Sequence, residues 1–190
     1  MPTLNAIYNL TFALWCLSEF AILIITRTRA STGEVRDQGS LRLLWITIAT
    51  SITAANFAGA ILHGEAFPSS WRMIPACIAL LVLGLAIRFS AIYTLGRSFS
   101  ANVAIHATQT LTTKGLFRFV RHPSYTGLEL IFLTIGLHTR NWIGLALAVI
   151  PPTVALLYRI RVEESALTSA FGSQYTAYTA ETKRLIPFIY

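Results

Sequence analysis

The sequence predicts an all-α integral membrane protein, and the composition carries most of this prediction. Only 12% of the 190 residues are charged, whereas a soluble domain has about 25%. Hydrophobic residues make up 54% of the chain, and the mean hydropathy is +0.59. A soluble enzyme, a disordered chain and a nucleic-acid-binding protein are therefore poor interpretations, and we read the net charge of +7 as the basic edges of membrane segments.

Five apolar segments cover most of the chain, and each is expected to be a membrane helix. A helix that spans the bilayer needs about 20 mostly apolar residues. Three segments reach that length, while the last two are short and separated by four residues, which predicts a helical hairpin. The adjacent prolines Pro151 and Pro152 are expected to kink its second arm. The segments are residues 4–26, 41–62, 73–95, 125–137 and 142–158.

Basic residues are distributed unevenly between the two sides of this five-span arrangement. Twelve of the 15 Lys and Arg residues, Arg27 and Arg29 among them, fall on one side, whereas Arg72 and Arg140 fall on the other. Cytoplasmic loops carry the excess of basic residues, so the N-terminus is predicted outside, with the loop at 96–122 and the C-terminus in the cytoplasm. The membrane would be the cytoplasmic one in a prokaryote or the endoplasmic reticulum in a eukaryote. Interfacial aromatics are expected at Trp71 and Trp142.

Two groups of polar residues stand out on the predicted cytoplasmic side. The first enters the fourth span as Arg121-His122-Pro123-Ser124-Tyr125-Thr126-Gly127. Pro123 suits the first turn of a helix, which places His122 at or near the N-cap, beside free backbone donors. The second group follows the last span, where Arg159 and Glu163 are four residues apart and share a face if the segment is helical.

Charges inside the apolar segments need partners or a wet cavity. Arg88 lies deep in the third span, and it either acts in the site or extends its head group to the interface. Glu19 is expected to pair with a neighbouring helix or to line a substrate entrance. Glu129 is expected to be structural or cavity-lining. Simpler roles are expected nearer the C-terminus: Arg161, Lys183 and Arg184 as membrane anchors, and Tyr175 and Tyr178 as packing for a terminal helix.

These residues resemble the isoprenylcysteine carboxyl methyltransferase (ICMT) family of integral-membrane enzymes that use S-adenosylmethionine (SAM). The broader superfamily includes phospholipid methyltransferases. The resemblance covers residues 85–190 and rests on the RHPxYxG segment, the downstream Arg159 with Glu163-Glu164, and the ending Arg184-Leu185-Ile186-Pro187. It implies one membrane-embedded domain over residues 1–190, in which residues 1–70 supply two spans. Residues 71–190 would form the catalytic part, completed by a cytoplasmic C-terminal helix.

The resemblance also implies roles for individual residues. Arg159 matches the arginine at the reacting carboxylate, and Arg88 resembles a second family arginine, so both are predicted to be catalytic. The family often has histidine where Gln109 stands and tyrosine where Phe117 stands, so the detail of this pocket differs. The implied cofactor-binding residues are Asn102, Gln109, Thr110, Leu111, Thr112, Phe117, His122, Pro123, Ser124, Tyr125 and Glu163.

The implied reaction moves a methyl group from SAM to the carboxylate of a lipid-like or prenylated substrate, leaving S-adenosyl-L-homocysteine. A carboxylate is ionised near pH 7 and needs no general base, and an arginine fork binds it in a bidentate manner. Methylation of a phospholipid or small amine would need a base, for which Glu129 or His106 could serve. A sterol-reductase-like NADPH protein and a scaffold without catalysis are further alternatives. The spacing of the other histidines, among them His63, indicates no metal site.

Overall fold

The computed structural model is mostly helical and is described over residues 2–26, 34–61, 73–105, 109–187 and 189–190. The helices are α1 (Pro2–Thr26), α2 (Ser40–Ile61), α3 (Met73–Leu95), α4 (Pro123–His138), α5 (Trp142–Phe171) and α6 (Ser173–Glu181). Short 3-10 helices form at Gly96–Ser98 and Gly115–Arg118. The strands β1 (Glu34–Val35) and β2 (Ala104–Ile105) pair in an antiparallel ribbon. The all-α prediction is confirmed.

Four of the described helical segments are long and apolar enough to cross a membrane: α1, α2, Met73–Ser98 and α5. Side chains such as Leu17 and Ile24 on α1 are 66% and 77% exposed, which suits contact with lipid rather than water. The chain is therefore a multi-pass membrane protein. Because α4 has 16 residues, fewer than the about 20 that a bilayer requires, the fifth span stays a prediction. The predictions on Arg27, Arg29, His63, Trp71 and Arg72 lie outside the described residues.

Helix α4 packs against α3 on one side and α5 on the other, and more than half of its residues are buried. Its approach to α3 depends on Gly84 and Gly127. A Cβ atom at Gly127 would lie 2.5 Å from the Gly84 carbonyl oxygen and 3.0 Å from the Cβ of Arg88. Small residues let helix backbones come this close in a membrane. The crossing therefore places Arg88 of α3 against the first turns of α4.

Both helices that carry the predicted polar groups begin as their sequences indicate. His122 is the N-cap of α4 and Pro123 lies in its first turn, as predicted. The side-chain oxygen of Asn141 caps α5 by accepting hydrogen bonds from the next helical N–H groups. Helix α5 then continues without a break for 30 residues, so Arg159 and Glu163 lie one turn apart on one helix, as expected. The kink at the two prolines stays a prediction.

The polar segments from distant parts of the chain meet at one end of the bundle. The N–H of Arg36 donates to the carbonyl of Val103 at 2.8 Å, which extends the β1–β2 ribbon. The N–H groups of Arg121 and His122 donate to carbonyls of the C-terminal tail at 2.7 and 3.0 Å. The residues just before α4 are therefore held against the C-terminal tail.

Candidate active site

A cavity of about 430 Å³ lies under these polar segments and extends between α1 and α2. Its volume is in the usual range for small-molecule sites, about 300–1,000 Å³. All of the residues predicted to act in catalysis or to bind the cofactor line this cavity: Arg88, Asn102, Gln109, Thr110, Leu111, Thr112, Phe117, His122, Pro123, Ser124, Tyr125, Arg159 and Glu163. The structure thus brings together residues that are up to 75 positions apart in the sequence.

Arg159 is held at the polar end of the cavity by four hydrogen bonds, and only 3% of the residue is exposed. Its Nε donates to the Tyr125 hydroxyl at 2.9 Å. Its Nη1 donates to Asp37 Oδ1 at 3.0 Å and to Ser40 Oγ at 2.9 Å, and its Nη2 donates to the Ala101 carbonyl at 2.5 Å. A guanidinium has five N–H donors, so the protein itself engages four of them and fixes the orientation of the side chain.

Glu163 faces the same cavity one helical turn beyond Arg159. Its Oε2 accepts a hydrogen bond from the Tyr125 hydroxyl at 2.8 Å, and the Nδ1 of His122 lies 3.8 Å from that oxygen. The rings of His122 and Tyr125 are stacked, with centroids 5.5 Å apart. The Glu163 side chain is 32% exposed, so this carboxylate is accessible to a cationic group in the cavity.

The next residue, Glu164, has a structural role instead. It accepts hydrogen bonds from Nε of Arg121 at 2.9 Å and from Nε of Arg184 at 3.0 Å. Arg121 also donates to the carbonyls of Thr179 and Thr182. The expected role of Arg184 as a membrane anchor is therefore wrong, because this residue fastens the C-terminal tail to α5. Successive residues of a helix point in different directions, so Glu163 reaches Tyr125 while Glu164 reaches the two arginines. Both carboxylates also lie near His122, Glu163 at 3.8 Å from Nδ1 and Glu164 at 3.4 Å from Nε2.

Arg88 is paired inside the bundle with Glu19. Both residues are less than 10% exposed, and Nε and Nη2 of Arg88 bind the two carboxylate oxygens of Glu19. The Nη1 of Arg88 donates to Ser124 Oγ at 2.8 Å, and Trp15 donates to Glu19 at 3.1 Å. Of the two roles open to Arg88, extension to the interface is excluded. Pairing of Glu19 with a neighbouring helix is confirmed, since a bidentate partner satisfies a charge buried in a membrane.

Aromatic side chains from α6 complete the wall near the predicted cofactor segment. The Tyr178 hydroxyl donates to the carbonyl of Phe117 at 2.6 Å, and burial raises the pKa of Tyr178 to about 12, so this hydroxyl remains a donor. Tyr175 is 2% exposed, and its hydroxyl has no hydrogen-bond partner in the part of the chain that the structure describes. Both tyrosines line the cavity, so the expectation that they only pack the terminal helix was too narrow.

Asp37, which sequence reasoning did not identify, holds Arg159 in place. Its Oδ1 also accepts the N–H of Val103 at 3.2 Å, and its Oδ2 accepts the N–H of Leu41 at 3.1 Å. Burial disfavours the ionised carboxylate, but these N–H donors and the Arg159 guanidinium hold the pKa of Asp37 below its ordinary value. No local pattern marks this residue, because Arg159 is 122 positions away along the chain.

Of the two residues nominated as bases for an amine substrate, the structure describes Glu129, and its position does not support that role. Glu129 is not among the described residues that line the cavity. It lies between α4 and α5, where one oxygen accepts a hydrogen bond from Thr153 at 2.8 Å. Its other oxygen is buried and has no partner among the residues described. The prediction on His106 falls outside the described ranges.

Comparisons with known proteins find proteins that are similar to this chain in sequence and in fold. The sequence model of the isoprenylcysteine carboxyl methyltransferase (ICMT) family matches residues 77–169, which include both candidate arginines and Glu163. Protein-S-isoprenylcysteine O-methyltransferase B of Arabidopsis thaliana is 28% identical over 148 residues, covering 75% of this chain and 73% of that protein. Over this region the chain is similar in sequence to the ICMT family. The Schizosaccharomyces pombe protein-S-isoprenylcysteine O-methyltransferase is 33% identical over 116 residues, covering 60% of this chain and 49% of that protein.

A solved structure of a family member has the same fold. The eukaryotic intramembrane Ras methyltransferase ICMT superposes with a TM-score of 0.65 and 26% identity. The alignment covers 76% of this chain but 52% of the ICMT chain. The chain therefore spans between about half and three quarters of the length of these relatives. Its likeness to a family of methyltransferases extends to sequence and three-dimensional structure.

Proposed function

We propose that this protein transfers a methyl group from SAM to the carboxylate of a lipid-like substrate of the isoprenylcysteine type. The observation that carries the proposal is the position of Arg159 and Glu163, which lie one turn apart at the polar end of a cavity whose other arm is apolar. An arginine suits the acceptor carboxylate, and a carboxylate suits the ammonium of the cofactor. The names of the related proteins point to the same chemistry.

The residues at the polar end fit SAM in their chemistry. Glu163 supplies an accessible carboxylate, and Phe117 and Leu111 supply an apolar wall. The Tyr175 hydroxyl has no partner among the described residues and is a spare hydrogen-bonding group. SAM would supply an electrophilic methyl group, which passes to the acceptor oxygen while the sulfur keeps the electron pair and becomes a neutral thioether. We propose that Glu163 binds the ammonium group of the cofactor and that the apolar wall around Phe117 packs against its adenine.

The apolar arm of the cavity fits the lipid part of the acceptor. Helix α1 packs on α3, whereas α2 packs on α5. Residues of both α1 and α2 line the apolar arm, so it runs between these two helices. The rings of Phe20 and Trp45 meet across these helices with centroids 5.4 Å apart. We propose that the lipid chain enters here from the bilayer, while its carboxylate reaches Arg159. The lining residues of this arm are Phe12, Trp15, Cys16, Phe20, Leu23, Leu44, Trp45, Ile48 and Ile52.

In this scheme the protein contributes orientation rather than proton transfer. A carboxylate acceptor is already ionised, so Arg159 can bind it without a proton transfer. The Tyr125 hydroxyl hydrogen-bonds both Arg159 and Glu163 and thereby fixes their relative position. A rigid, preorganised arginine costs little reorganisation when the substrate binds. Arg88 stays paired with Glu19 and supports the site through its bond to Ser124. We further propose that this polar end faces the cytoplasm, where the basic loops are expected.

Binding measurements on the detergent-purified protein test this proposal. We expect saturable binding of S-adenosylhomocysteine and no binding of NADPH in calorimetric titrations under the same conditions. Binding of NADPH in place of S-adenosylhomocysteine would favour the reductase-like alternative, and binding of neither would favour a scaffold.

A further inference from the structure

We infer that Asp37 is a positioning residue for the acceptor carboxylate, because it fixes the guanidinium of Arg159 and offsets its positive charge. This inference rests on the proposed methyl transfer to a carboxylate. The Asp37 and Arg159 side chains are 14% and 4% exposed, and Oδ1 and Nη1 are 3.0 Å apart. The pair is therefore shielded from solvent, where an ion pair interacts more strongly than at the surface.

Asp37 joins three separate parts of the site to one carboxylate. Its Oδ2 accepts the N–H of Leu41 at the start of α2, and its Oδ1 accepts the N–H of Val103 beside β2. The same Oδ1 accepts the hydroxyl of Ser40 at 3.1 Å, and Ser40 is itself an acceptor for Arg159. The position of Arg159 is thus set by the segment between β1 and α2 as well as by its own helix.

The charge of Asp37 matters because of how the reaction proceeds. The acceptor carboxylate loses its negative charge as it gains the methyl group, so an arginine that binds it too strongly stabilises the substrate more than the transition state. With Asp37 ionised, the guanidinium of Arg159 is held by four hydrogen bonds and keeps one N–H donor for the acceptor. Its positive charge is then partly compensated. Glu163 reaches Arg159 through the Tyr125 hydroxyl, and in our proposal that carboxylate is committed to the cofactor.

Asp37 also lies in a part of the chain that the ICMT family model does not match, since the match covers residues 77–169. Through Asp37, the segment between β1 and α2 adds a residue to the proposed site that lies outside the region matched by the family model. The pairing of β1 with β2 positions Asp37 within hydrogen-bonding distance of Arg159 on α5.

The test compares steady-state kinetics of the full-length wild type with Asp37→Asn, using labelled SAM and an S-prenylated cysteine with a free carboxyl group. Asparagine keeps the size and an acceptor oxygen but removes the charge. We expect kcat to fall about tenfold, the order of the effect when the partner of a charged hydrogen bond loses its own charge, while the KM for the acceptor stays the same or falls. The KM for SAM and the affinity for S-adenosylhomocysteine should stay within about twofold, because the cofactor residues are untouched.

Glu34→Gln is the matched control, since it makes the same charge change three residues earlier, in β1. The Glu34 side chain is 64% exposed and pairs with Arg36. It should retain wild-type kinetics, and Asp37→Glu should recover part of the lost kcat by restoring the charge. A raised acceptor KM with unchanged kcat in Asp37→Asn, or kinetics equal to those of Glu34→Gln, would overturn the inference.

Ser40→Ala provides a second test of the inference if the Asp37→Asn variant fails to fold. It removes one acceptor of Arg159 and one donor to Asp37, so kcat should fall severalfold at an unchanged acceptor KM. Wild-type kcat in this variant would count against the inference. A wild-type protein that binds S-adenosylhomocysteine but methylates no acceptor carboxylate would instead overturn the proposed function, and the inference with it.

Discussion

Glu163→Gln isolates the charge that we assign to cofactor binding. Glutamine keeps the size of the side chain and an oxygen that can accept the hydrogen bond of the Tyr125 hydroxyl, which is 2.8 Å long in the wild type. The variant therefore removes the negative charge with little other change to the site. A cationic ammonium in the cavity would lose a charge-assisted partner, whereas the aromatic wall and the backbone around His122 would remain.

The size of the effect follows from the exposure of this side chain. A hydrogen bond to a charged group contributes about 1.5–3 kcal/mol when it is shielded from water. The Glu163 side chain is 32% exposed, so solvent screening places the expected loss near the lower limit, about 1.5 kcal/mol. That value corresponds to about a tenfold increase in the dissociation constant of S-adenosylhomocysteine. Isothermal titration calorimetry in detergent measures this change directly.

Glu164→Gln is the control because it makes the same change one residue along the same helix. Glu164 binds Arg121 and Arg184 and lies 3.4 Å from His122. Loss of its charge should therefore lower the melting temperature, while the side-chain oxygen that glutamine retains keeps the ligand affinity within about twofold. Wild-type affinity in a folded Glu163→Gln protein would refute our assignment of this carboxylate. A larger loss of affinity in Glu164→Gln would show that the wrong glutamate has been assigned to the ligand.

Two further substitutions test how the bundle supports the site, and thermal unfolding in detergent measures both. Gly127→Ala should destabilise the protein by about 1–3 kcal/mol, because the new Cβ would lie 2.5 Å from the Gly84 carbonyl oxygen; unchanged stability would mean that α3 and α4 do not cross this closely. Glu19→Gln should cost about 3 kcal/mol by leaving Arg88 unpaired, and a second change, Arg88→Met, should recover most of it. A double variant as unstable as Glu19→Gln would contradict a buried pair.

Local sequence patterns predicted the parts of the site that depend on spacing within one helix. The start of α4 at Pro123, with His122 as its N-cap, follows from the fixed backbone geometry of proline. The shared face of Arg159 and Glu163 follows from the helical period. Their meeting with Tyr125 in one cavity came from the family resemblance, because spacing alone does not say which helices touch.

The residues that sequence reasoning missed or left open are those whose partners come from distant segments. Glu19 and Arg88 are 69 positions apart, and only the packing of α1 on α3 brings them together. Asp37 reaches Arg159 through the β1–β2 ribbon, which is two residue pairs long and too short to leave a recognisable strand pattern. The pairing of Arg184 with Glu164 likewise depends on how the C-terminal tail returns to α5.

The central claim is that this cavity holds a methyl donor next to a lipid-borne carboxylate, and one measurement tests it most directly. The purified protein is incubated with methyl-labelled SAM and either an S-prenylated cysteine with a free carboxyl group or its carboxamide. We expect label in the acid alone, and mild base should release it as methanol because the product is an ester. A base-stable product, or equal labelling of the acid and the carboxamide, would contradict the account.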